Sequence, residues 1–531
     1  MILKIVVLIF SFFKLSHSLP LSTNSRWIVD EATSNRVKLT CGNWPSHLEP
    51  MIAEGLEKKP LSYIVKEIVS MGFNCVRFTY ATYMFTRHGY SNLSVRESLN
   101  KFSLNDAKNG FAKNNPEFLD MSVVDVHKSV VDELGKNNVM VILDNHVSKP
   151  GWCCNKYDGN GFFGDQFFDP QEWIQGWKTA ATRYKGNSNV VAMSMRNELR
   201  GPRENENDWY KYMEECATTI HEANSNVLII FSGLSFDTNL RFLKTRPVTV
   251  NIPNKLVYEY HWYSFGEDNT WVTNTNARCA QRTQAAIYNS LFLLTQENPV
   301  PLFLSEFGLD LRGGNEKENR YFTCLLATLV ELDIDWALWT LQGSYILREG
   351  MVELDEVYGT FDFNWDYARN KTTLERLQLP MRLNQDSNFK NSKSFIMFHP
   401  HSGKCVNIGE DNNVRGASCD SSGRWSHQGD GSPIMLEGVA GCLQATGEGR
   451  PVSVSKDCST QGSTWKSVSA SRLQLASQDK EGYHLCLEYD PMYSTIVTKR
   501  CLCIQQDNLS DLSTCDANPQ IQWFKFVPTN T

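Results

Sequence analysis

Short apolar runs alternate with longer amphipathic segments from about residue 37 to residue 378. This alternation is typical of βα units, because parallel strands covered on both faces read as continuous apolar runs. The runs predict eight strands, at residues 37–42, 74–80, 139–145, 189–198, 227–232, 256–261, 301–306 and 336–341. The amphipathic segments predict helices at 61–71, 122–134, 171–184, 209–223, 280–295 and 318–332. The pattern favours an α/β fold, a (β/α)₈ TIM barrel with long loops. A doubly wound open sheet is the alternative, but no glycine-rich phosphate loop follows the first strand.

Two of the predicted strands end in a glutamate, and a glycine follows soon after each one. Glu198 comes after the apolar run 189–193, and Glu306 comes after the run 301–304. In a barrel the carboxyl ends of the strands carry the active site. Two glutamates facing one cleft suit retaining glycoside hydrolysis, which uses a proton donor and a nucleophile about 5–5.5 Å apart. The alternative is that each glutamate merely caps a loop at its strand end.

The N-terminal residues 1–18 are predicted to be a secretory signal peptide. Lys4 provides the positive start, residues 5–13 the apolar run, and residues 16–18 the small residues before cleavage. Removing this segment would change the formal charge from −7 to −9, because Lys4 and Lys14 are lost. An acidic chain is a poor partner for nucleic acid. No later apolar stretch is long enough to predict a membrane span.

Fifteen cysteines in a secreted chain predict disulfides. Seven of them fall in the predicted barrel, at positions 41, 75, 153, 154, 216, 279 and 324, so at least one thiol is left over if all pairs are internal. Cys153 and Cys154 lack the spaced partners of a metal site. They are expected to pair elsewhere or with each other. Three sequons offer glycosylation sites at Asn92, Asn370 and Asn508.

The composition changes after the predicted catalytic domain, residues 19–380: a polar linker is expected at 381–394, followed by a smaller domain at 395–531. That domain contains three weak internal copies, each with two cysteines 14 to 16 residues apart and then a tryptophan. The spacing predicts the disulfides Cys405–Cys419, Cys442–Cys458 and Cys486–Cys501, with Cys503–Cys515 closing an insertion in the third copy. The barrel is expected to fold without this domain, unless the two share a large apolar interface.

Residues 36–380 resemble glycoside hydrolase family 5, the cellulase-like clan, because matching residues stand at successive strand ends in the family's order. These residues are Arg77, His146, Asn197, Glu198, His261, Tyr263, Glu306 and Trp339. The resemblance implies that Glu198 is the general acid/base and Glu306 the nucleophile. Arg77 would then stabilise the carboxylate of Glu306, and Tyr263 would hydrogen-bond to it.

The same resemblance implies the residues that bind the sugar. Asn197 would donate to the sugar 2-hydroxyl, His146 and His261 would surround the reacting ring, and Trp339 would stack on it. The glycine-rich and aromatic loop 149–165 follows His146, and within it Trp152 and Phe162 are candidates for substrate contact. Plain core packing is the alternative for Trp339.

The C-terminal copies resemble a ricin-B-type β-trefoil lectin module, in cysteine pairs and tryptophans. Ricin-type sites carry an aspartate after the cysteine–hydrophobic pair, and here those positions hold Asn407, Gln444 and Glu488. Two interpretations therefore stay open, a lectin that binds a glycan and a structural module stapled by disulfides.

Together with these resemblances, the sequence predicts a secreted, extracellular retaining β-glycosidase acting on a β-glucan or a related β-linked glycan. The combination of the two modules resembles secreted plant proteins, and for a plant protein the expected location is the cell wall or apoplast. A β-glycosidase or transglycosylase acting on small glycosides or glycolipids is the alternative enzyme. A carbohydrate-binding protein without catalysis is the alternative from another class. The carbohydrate substrate is the expected partner of a monomer, and no cofactor or metal is expected.

Overall fold

The computed structural model describes residues 20–385, 394–409 and 413–529. The predicted signal peptide and residues 386–393 of the predicted linker lie outside the described residues. Eight parallel strands close into a barrel in the order β10-β3-β4-β5-β6-β7-β8-β9. The barrel strands are β3 (Thr40–Trp44), β4 (Cys75–Ala81), β5 (Met140–Val147), β6 (Val190–Ser194), β7 (Leu228–Phe231), β8 (Leu256–His261), β9 (Leu302–Phe307) and β10 (Asp335–Leu338).

Helices surround this barrel and connect its strands. They are α1 (Leu61–Ser70), α2 (Tyr83–Thr86), α3 (His88–Ser91), α4 (Val95–Lys101), α5 (Asn105–Asn114), α6 (Val123–Lys136), α7 (Pro170–Arg183), α8 (Glu206–Ala223), α9 (Thr270–Thr273), α10 (Thr275–Asn289), α11 (Glu316–Leu332), α12 (Lys371–Arg376) and α13 (Gln378–Arg382). Several begin at a capping side chain that accepts from a backbone N–H two or three residues into the helix. Asp169 caps α7 in this way, with Pro170 in the first turn, and Asn205 caps α8.

A hairpin of β1 (Leu21–Asn24) and β2 (Trp27–Asp30) covers the amino-terminal end of the barrel. Leu21 and Ile28 join the apolar side chains that fill the barrel interior there, including Val37 and Leu39. The first barrel strand therefore begins at Thr40 rather than at the predicted residue 37, because Val37 pairs with the hairpin through a hydrogen bond to Ile28. This hairpin was not predicted from the sequence.

Other elements also differ from the sequence prediction. The strand predicted at 189–198 ends at Ser194, so Glu198 lies in the loop that follows it. The helix predicted at 280–295 begins earlier, at Thr275, and ends at Asn289, after which Leu291–Leu294 forms a 3₁₀ turn. The last barrel strand ends at Leu338, so Trp339 belongs to the loop above the barrel. The short helices α2 to α5 fill a connection for which no helix was predicted. Among the described residues, no helix is long and apolar enough to cross a lipid bilayer.

After the short pair β11 (Leu347–Arg348) and β12 (Met351–Val352) in the last barrel loop, all further strands belong to an all-β C-terminal domain. They are β13 (Phe395–His399), β14 (Lys404–Ile408), β15 (Val414–Ala417), β16 (Trp425–His427), β17 (Ser432–Leu436), β18 (Cys442–Gln444), β19 (Arg450–Pro451), β20 (Ser453–Ser455), β21 (Thr464–Val468), β22 (Gln474–Gln478), β23 (His484–Asp490), β24 (Thr495–Arg500) and β25 (Lys525–Pro528). The structure contains the four disulfides predicted for this domain, Cys405–Cys419, Cys442–Cys458, Cys486–Cys501 and Cys503–Cys515.

The repeat tryptophans show where the third copy departs from the other two. The indole of Trp425 donates to the carbonyl of Val406, and that of Trp465 donates to the equivalent carbonyl of Leu443. The indole of Trp523 instead donates to Oδ1 of Asn276, on helix α10 of the barrel, at 3.0 Å. The third copy is therefore packed against the barrel.

A second contact joins the first copy to the barrel domain. Val330 of α11 packs with Leu379, Ile396 and Val527 in one buried cluster. The guanidinium of the buried Arg376 donates to the carbonyl of Pro400 at 3.1 Å. The two domains thus share a buried interface, the possibility that the sequence analysis left open, although none of the seven disulfides found among the described residues joins them.

Candidate active site

A cleft of about 720 Å³ opens at the carboxyl ends of the barrel strands. Eight of the predicted site residues line it: His146, Trp152, Asn197, Glu198, His261, Tyr263, Glu306 and Trp339. Arg77 lies beneath them, fully buried in the barrel and bonded to Glu306. The structure therefore brings together the predicted catalytic and substrate-binding residues, with the exception of Phe162.

Glu306 lies in strand β9 and receives hydrogen bonds at both carboxylate oxygens. A guanidinium nitrogen of Arg77 donates to Oε1 at 2.8 Å, and the hydroxyl of Tyr263 donates to Oε2 at 3.2 Å. Burial and the neighbouring Glu306 hold the pKa of Tyr263 well above its ordinary value, so this hydroxyl keeps its proton. Both contacts favour the ionised form of Glu306.

Glu198 follows strand β6 in a backbone conformation that residues other than glycine seldom adopt. Its φ is 45°, in the left-handed region, and its backbone N–H donates to Oδ2 of Asp237 at 2.8 Å. A buried carboxylate thus fixes this costly conformation, and such strained positions cluster at functional sites. The side chain contacts His261, whose Nδ1 lies 3.0 Å from Oε1 of Glu198.

The two glutamates face each other across the cleft, with His261 between them. One carboxylate oxygen of Glu198, one of Glu306 and a ring nitrogen of His261 all lie within 4.8 Å of one another. These atom types can also ligate a cation. The expectation that the protein uses no metal stays a prediction.

Burial raises the pKa of Glu198 to about 7, against the opposing charges of Arg200 and Arg77. Burial also raises the pKa of Glu306 to about 7, although His261 and Arg77 lower it. Two carboxylates this close in a poorly solvated site do not both ionise readily. The pair therefore retains one proton into the neutral pH range.

Arg77 is the centre of a buried charge network, of which only Arg77 and Glu306 were predicted from the sequence. It donates to Asp144 at 2.9 Å and lies 3.6 Å from Glu259. Although burial opposes its charge, Asp144, Glu259 and Glu306 hold the pKa of Arg77 above its ordinary value. Ser194 links the two additional acids, because its hydroxyl lies 2.8 Å from Glu259 and 3.2 Å from Asp144. Permanent positive charge beneath Glu306 is thereby fixed in position.

A simple signal in the sequence identifies the two missed acids. Asp144 stands two residues before His146 in β5, and Glu259 stands two residues before His261 in β8. Side chains two apart on a strand point to the same face, so each acid had to share the barrel interior with its histidine. Asp237 carries no such signal, because it belongs to the loop after β7.

His146 is positioned by several neighbours at once. Its Nδ1 lies 2.6 Å from Oδ2 of Asp144, and its ring packs 4.0 Å from the ring of His47. Trp339 stacks on it at 5.5 Å with the ring planes inclined by 20°. Burial, reinforced by the charge of Arg77, lowers the pKa of His146 well below its ordinary value.

The loop 149–165 contributes one of its two aromatic candidates to the cleft. Trp152 lines the cleft and packs edge-on against Tyr345, while the guanidinium of Arg348 lies 3.5 Å from its ring centroid. The prediction for Phe162 was wrong: its side chain is fully buried against Phe163, in the aromatic core behind the loop. The position of the loop after His146 suggested substrate contact, but the side chain of Phe162 points away from the cleft into this core.

The barrel cysteines pair as Cys41–Cys75, Cys153–Cys154 and Cys279–Cys324. Cys216 is the remaining free thiol and is buried. Of the two possibilities predicted for Cys153 and Cys154, the structure contains the bond between neighbours. Their sulfurs lie beside His146, but disulfide sulfurs are not the thiolates that bind metals.

The three positions that correspond to the aspartate of ricin-type sites differ in their surroundings. Glu488 is buried and accepts hydrogen bonds from Lys499 at 2.6 Å and from Gln522 at 3.0 Å. Gln444 donates to Thr460, and Asn407 accepts from the backbone of the next residue. The carboxylate of Glu488 therefore serves the packing of its own domain.

The three sequons also differ. Asn92 and Asn508 are exposed. Asn370 is half-buried and caps α12, where its Oδ1 accepts from Thr373 and its Nδ2 donates to the carbonyl of Leu311 at 3.2 Å. Glycosylation stays a prediction, and the geometry favours Asn92 and Asn508.

A closed parallel barrel with paired carboxylates at its catalytic end defines a class of protein, the (β/α)₈ glycoside hydrolases. The comparisons with known proteins give the family. The sequence model of the family described as Cellulase (glycosyl hydrolase family 5) matches residues 45–344. A protein of Chamaecyparis obtusa described as "Glycosyl hydrolase 5 family protein" is 43% identical over 528 residues, covering 97% of this chain and 94% of the relative. The chain belongs to glycosyl hydrolase family 5.

More distant proteins share parts of the chain. An endoglucanase of Paenibacillus polymyxa is 22% identical over 277 residues, covering 48% of this chain and 62% of that protein. An endocellulase from the archaeon Pyrococcus horikoshii superposes with a TM-score of 0.56 at 16% identity, covering 69% of this chain and 99% of that one. The catalytic domain of the major endoglucanase from Xanthomonas campestris pv. campestris gives 0.54 at 18% identity, covering 68% and 99%. At this level of identity, these structures show the shared fold.

Proposed function

We propose that this protein is a secreted retaining β-glycosidase that hydrolyses β-linked glucans. The observation that carries the proposal is the closeness of the two glutamates, which have carboxylate oxygens within 4.8 Å of each other. Retaining enzymes hold their carboxyl groups about 5–5.5 Å apart, whereas inverting enzymes leave about 6.5–9.5 Å for a water molecule. The family and its endoglucanase relatives support a β-glucan as the substrate.

Glu306 is assigned as the nucleophile and Glu198 as the acid/base. The pair retains one proton, and the donors Arg77 and Tyr263 both favour the charged form of Glu306. The proton therefore belongs on Glu198. In the first step Glu306 attacks the anomeric carbon while Glu198 protonates the departing glycosidic oxygen, giving a glycosyl-enzyme. In the second step Glu198, now ionised, deprotonates a water molecule that displaces Glu306 from the same carbon.

Replacing Glu198 by alanine is expected to discriminate between substrates by their leaving groups. The variant should lose far more activity on unactivated β-glucosides than on dinitrophenyl glycosides, because the latter leave without a proton. Azide should restore turnover of the activated substrate, because this small anion attacks the glycosyl-enzyme without general-base help. The check is steady-state kinetics with and without azide, with detection of a β-glycosyl azide. Equal losses on both substrates without that product would contradict the role of Glu198.

The dependence of kcat/KM on pH should also differ between unactivated and activated substrates. With its pKa raised to about 7 by burial, Glu198 is protonated below that pH and loses its proton as the pH rises through it. The kcat/KM for an unactivated β-glucoside should therefore fall above about pH 7, while that for a dinitrophenyl glycoside should fall much less. Profiles of kcat/KM between pH 4 and pH 10 would check this. If the rates of both substrates fall in parallel at high pH, the fall comes from a group other than Glu198.

Secretion rests on the predicted signal peptide and on the seven disulfides, which form in oxidising compartments. The β-trefoil identity of the C-terminal domain is proposed from its three disulfide-bonded copies, and a glycan ligand there belongs to the same proposal. A non-catalytic binding protein is the contrasting hypothesis. Labelling with a 2-deoxy-2-fluoro glycoside distinguishes the two, because only a working nucleophile forms a lasting covalent adduct.

A further inference from the structure

The disulfide between the neighbours Cys153 and Cys154 lies in the wall of the active-site cleft. It touches the side chain of Asn197, whose Nδ2 is 3.7 Å from the sulfur of Cys153 and 3.5 Å from that of Cys154. Asn197 immediately precedes Glu198, the proposed acid/base. The disulfide is thus in contact with the residue proposed to bind the sugar 2-hydroxyl.

The orientation of the Asn197 amide follows from its partners. Its Oδ1 accepts from Arg77 at 3.0 Å, and an arginine side chain offers donors only. The amide oxygen must therefore face Arg77, and the amide NH₂ must face the sulfurs and the cleft. Disulfide sulfurs carry no hydrogen, so they cannot donate a hydrogen bond to the sugar in place of the amide. They also accept hydrogen bonds only weakly, so the amide NH₂ stays available to the sugar.

Several contacts besides the disulfide anchor its loop. The guanidinium of Arg196 donates to the carbonyl of Asn160 at 2.5 Å, and that of Arg200 donates to the carbonyl of Asn155 at 3.0 Å. Arg200 also pairs with Asp158 at 2.5 Å. These buried anchors come from the segment that carries Asn197 and Glu198, so they join loop and catalytic segment independently of the sulfurs.

Two free thiols would differ from the disulfide at this position. Each thiol rotates about its own side-chain bond, and a thiol can donate a hydrogen bond or ionise to a thiolate. Either change would compete for the Asn197 amide or place a negative charge beside Glu198. The bonded pair instead presents one fixed, uncharged and polarisable surface to the cleft.

We propose that the Cys153–Cys154 disulfide forms the wall of the sugar subsite at Asn197 and positions the Asn197 amide for the sugar 2-hydroxyl. The inference rests on the glycosidase function proposed above and adds a substrate-recognition element to it. The cysteines act through Asn197 and are positioning residues. Their removal should therefore weaken recognition of the 2-hydroxyl specifically, rather than lower all activity.

The first experiment compares an aryl β-cellobioside with its analogue lacking the 2-hydroxyl on the aryl-linked glucose. The full-length double variant C153A/C154A should lose roughly 10- to 100-fold in kcat/KM on the parent substrate, because small misplacements at a reacting centre have effects of this size. On the 2-deoxy analogue it should stay within about threefold of the wild type. Adding N197A to the double variant should lower kcat/KM on the parent substrate little further, because both changes remove the same interaction with the 2-hydroxyl. The variant C442A/C458A removes a disulfide outside the cleft and serves as the matched control.

Equal losses on both substrates, or additive losses with N197A, would overturn the inference and leave the disulfide a purely structural part. A wild type that neither turns over nor becomes labelled by the fluoroglycoside would instead contradict the proposed function.

A second measurement needs no turnover. In the full-length Glu306→Gln protein, a β-1,4-linked glucose tetramer should slow reduction of Cys153–Cys154 by a phosphine at least about fivefold, while Cys503–Cys515 is reduced at an unchanged rate. If a saturating concentration of the tetramer does not slow the reduction of Cys153–Cys154, contact between this disulfide and the sugar is contradicted.

Discussion

Replacing Glu306 by glutamine is expected to lower kcat on aryl β-glycosides by on the order of 10³-fold or more, with the fold unchanged. Glutamine keeps the shape of the side chain, and its carbonyl oxygen still accepts from Arg77. The amide is a very poor nucleophile, however, so no glycosyl-enzyme forms. The fold should persist because the change also removes a buried negative charge whose ionisation is opposed by desolvation.

The measurement combines steady-state kinetics with mass spectrometry after exposure to a 2-deoxy-2-fluoro glycoside. The wild type should carry one glycosyl group on the peptide containing Glu306, and the variant should carry none. Glu117→Gln, the same chemical change at an exposed residue, provides the control and should behave as the wild type. Activity of Glu306→Gln within tenfold of the wild type would show that another group is the nucleophile.

The barrel could be predicted from the sequence because its physics is local. Parallel strands buried on both faces read as apolar runs, and polar residues at the ends of such runs stand out. Glu306, His146 and His261 were found in this way, and the resemblance supplied their roles. The hairpin at the barrel's base was missed because its two strands have only four residues each and no alternating pattern.

Other parts of the site depend on contacts between distant segments. Asp237 fixes the backbone of Glu198 from a loop 39 residues away, and no periodicity marks it. The contact between Trp523 and Asn276 spans 247 residues. The tryptophan was recognised as a member of the repeat, but the sequence gives no indication that the third copy turns its indole towards the barrel.

Ending the chain at Gln385 is expected to lower the melting temperature measurably or to give insoluble protein. The truncation exposes the apolar side chains around Val330 and Leu379. It also removes the Pro400 carbonyl from the buried Arg376 and the Ala517 carbonyl from the buried Arg320. Arg320 keeps other acceptors, but Nε of Arg376 loses the acceptor it has in the full chain, and a buried donor left without a partner costs roughly 1–3 kcal/mol. The loss of apolar burial adds to this cost.

Activity should fall in the folded fraction as well, because the C-terminal domain supports the segment beneath Tyr263. The backbone N–H of Cys515 donates to the carbonyl of Thr273 in α9 at 2.8 Å. From the same helix the indole of Trp271 donates to Glu267 at 2.5 Å. Arg282 then bridges Glu267, at 2.9 Å, and the carbonyl of Tyr263, at 3.1 Å. Without the domain this chain of contacts loses its outer support, and the hydrogen bond from Tyr263 to the nucleophile loosens.

Two further proteins separate loss of contact from loss of the covalent connection. In the first, a protease site is placed within residues 386–393 of the full chain; after cleavage the halves should co-elute in gel filtration and keep their activity. In the second, Trp523→Ala is compared with Trp465→Ala. Both tryptophans are fully buried at equivalent repeat positions, but only Trp523 bonds to the barrel, so only its replacement should lower kcat. A truncated protein that matches the wild type in melting temperature and kcat would instead establish the barrel as an independent domain.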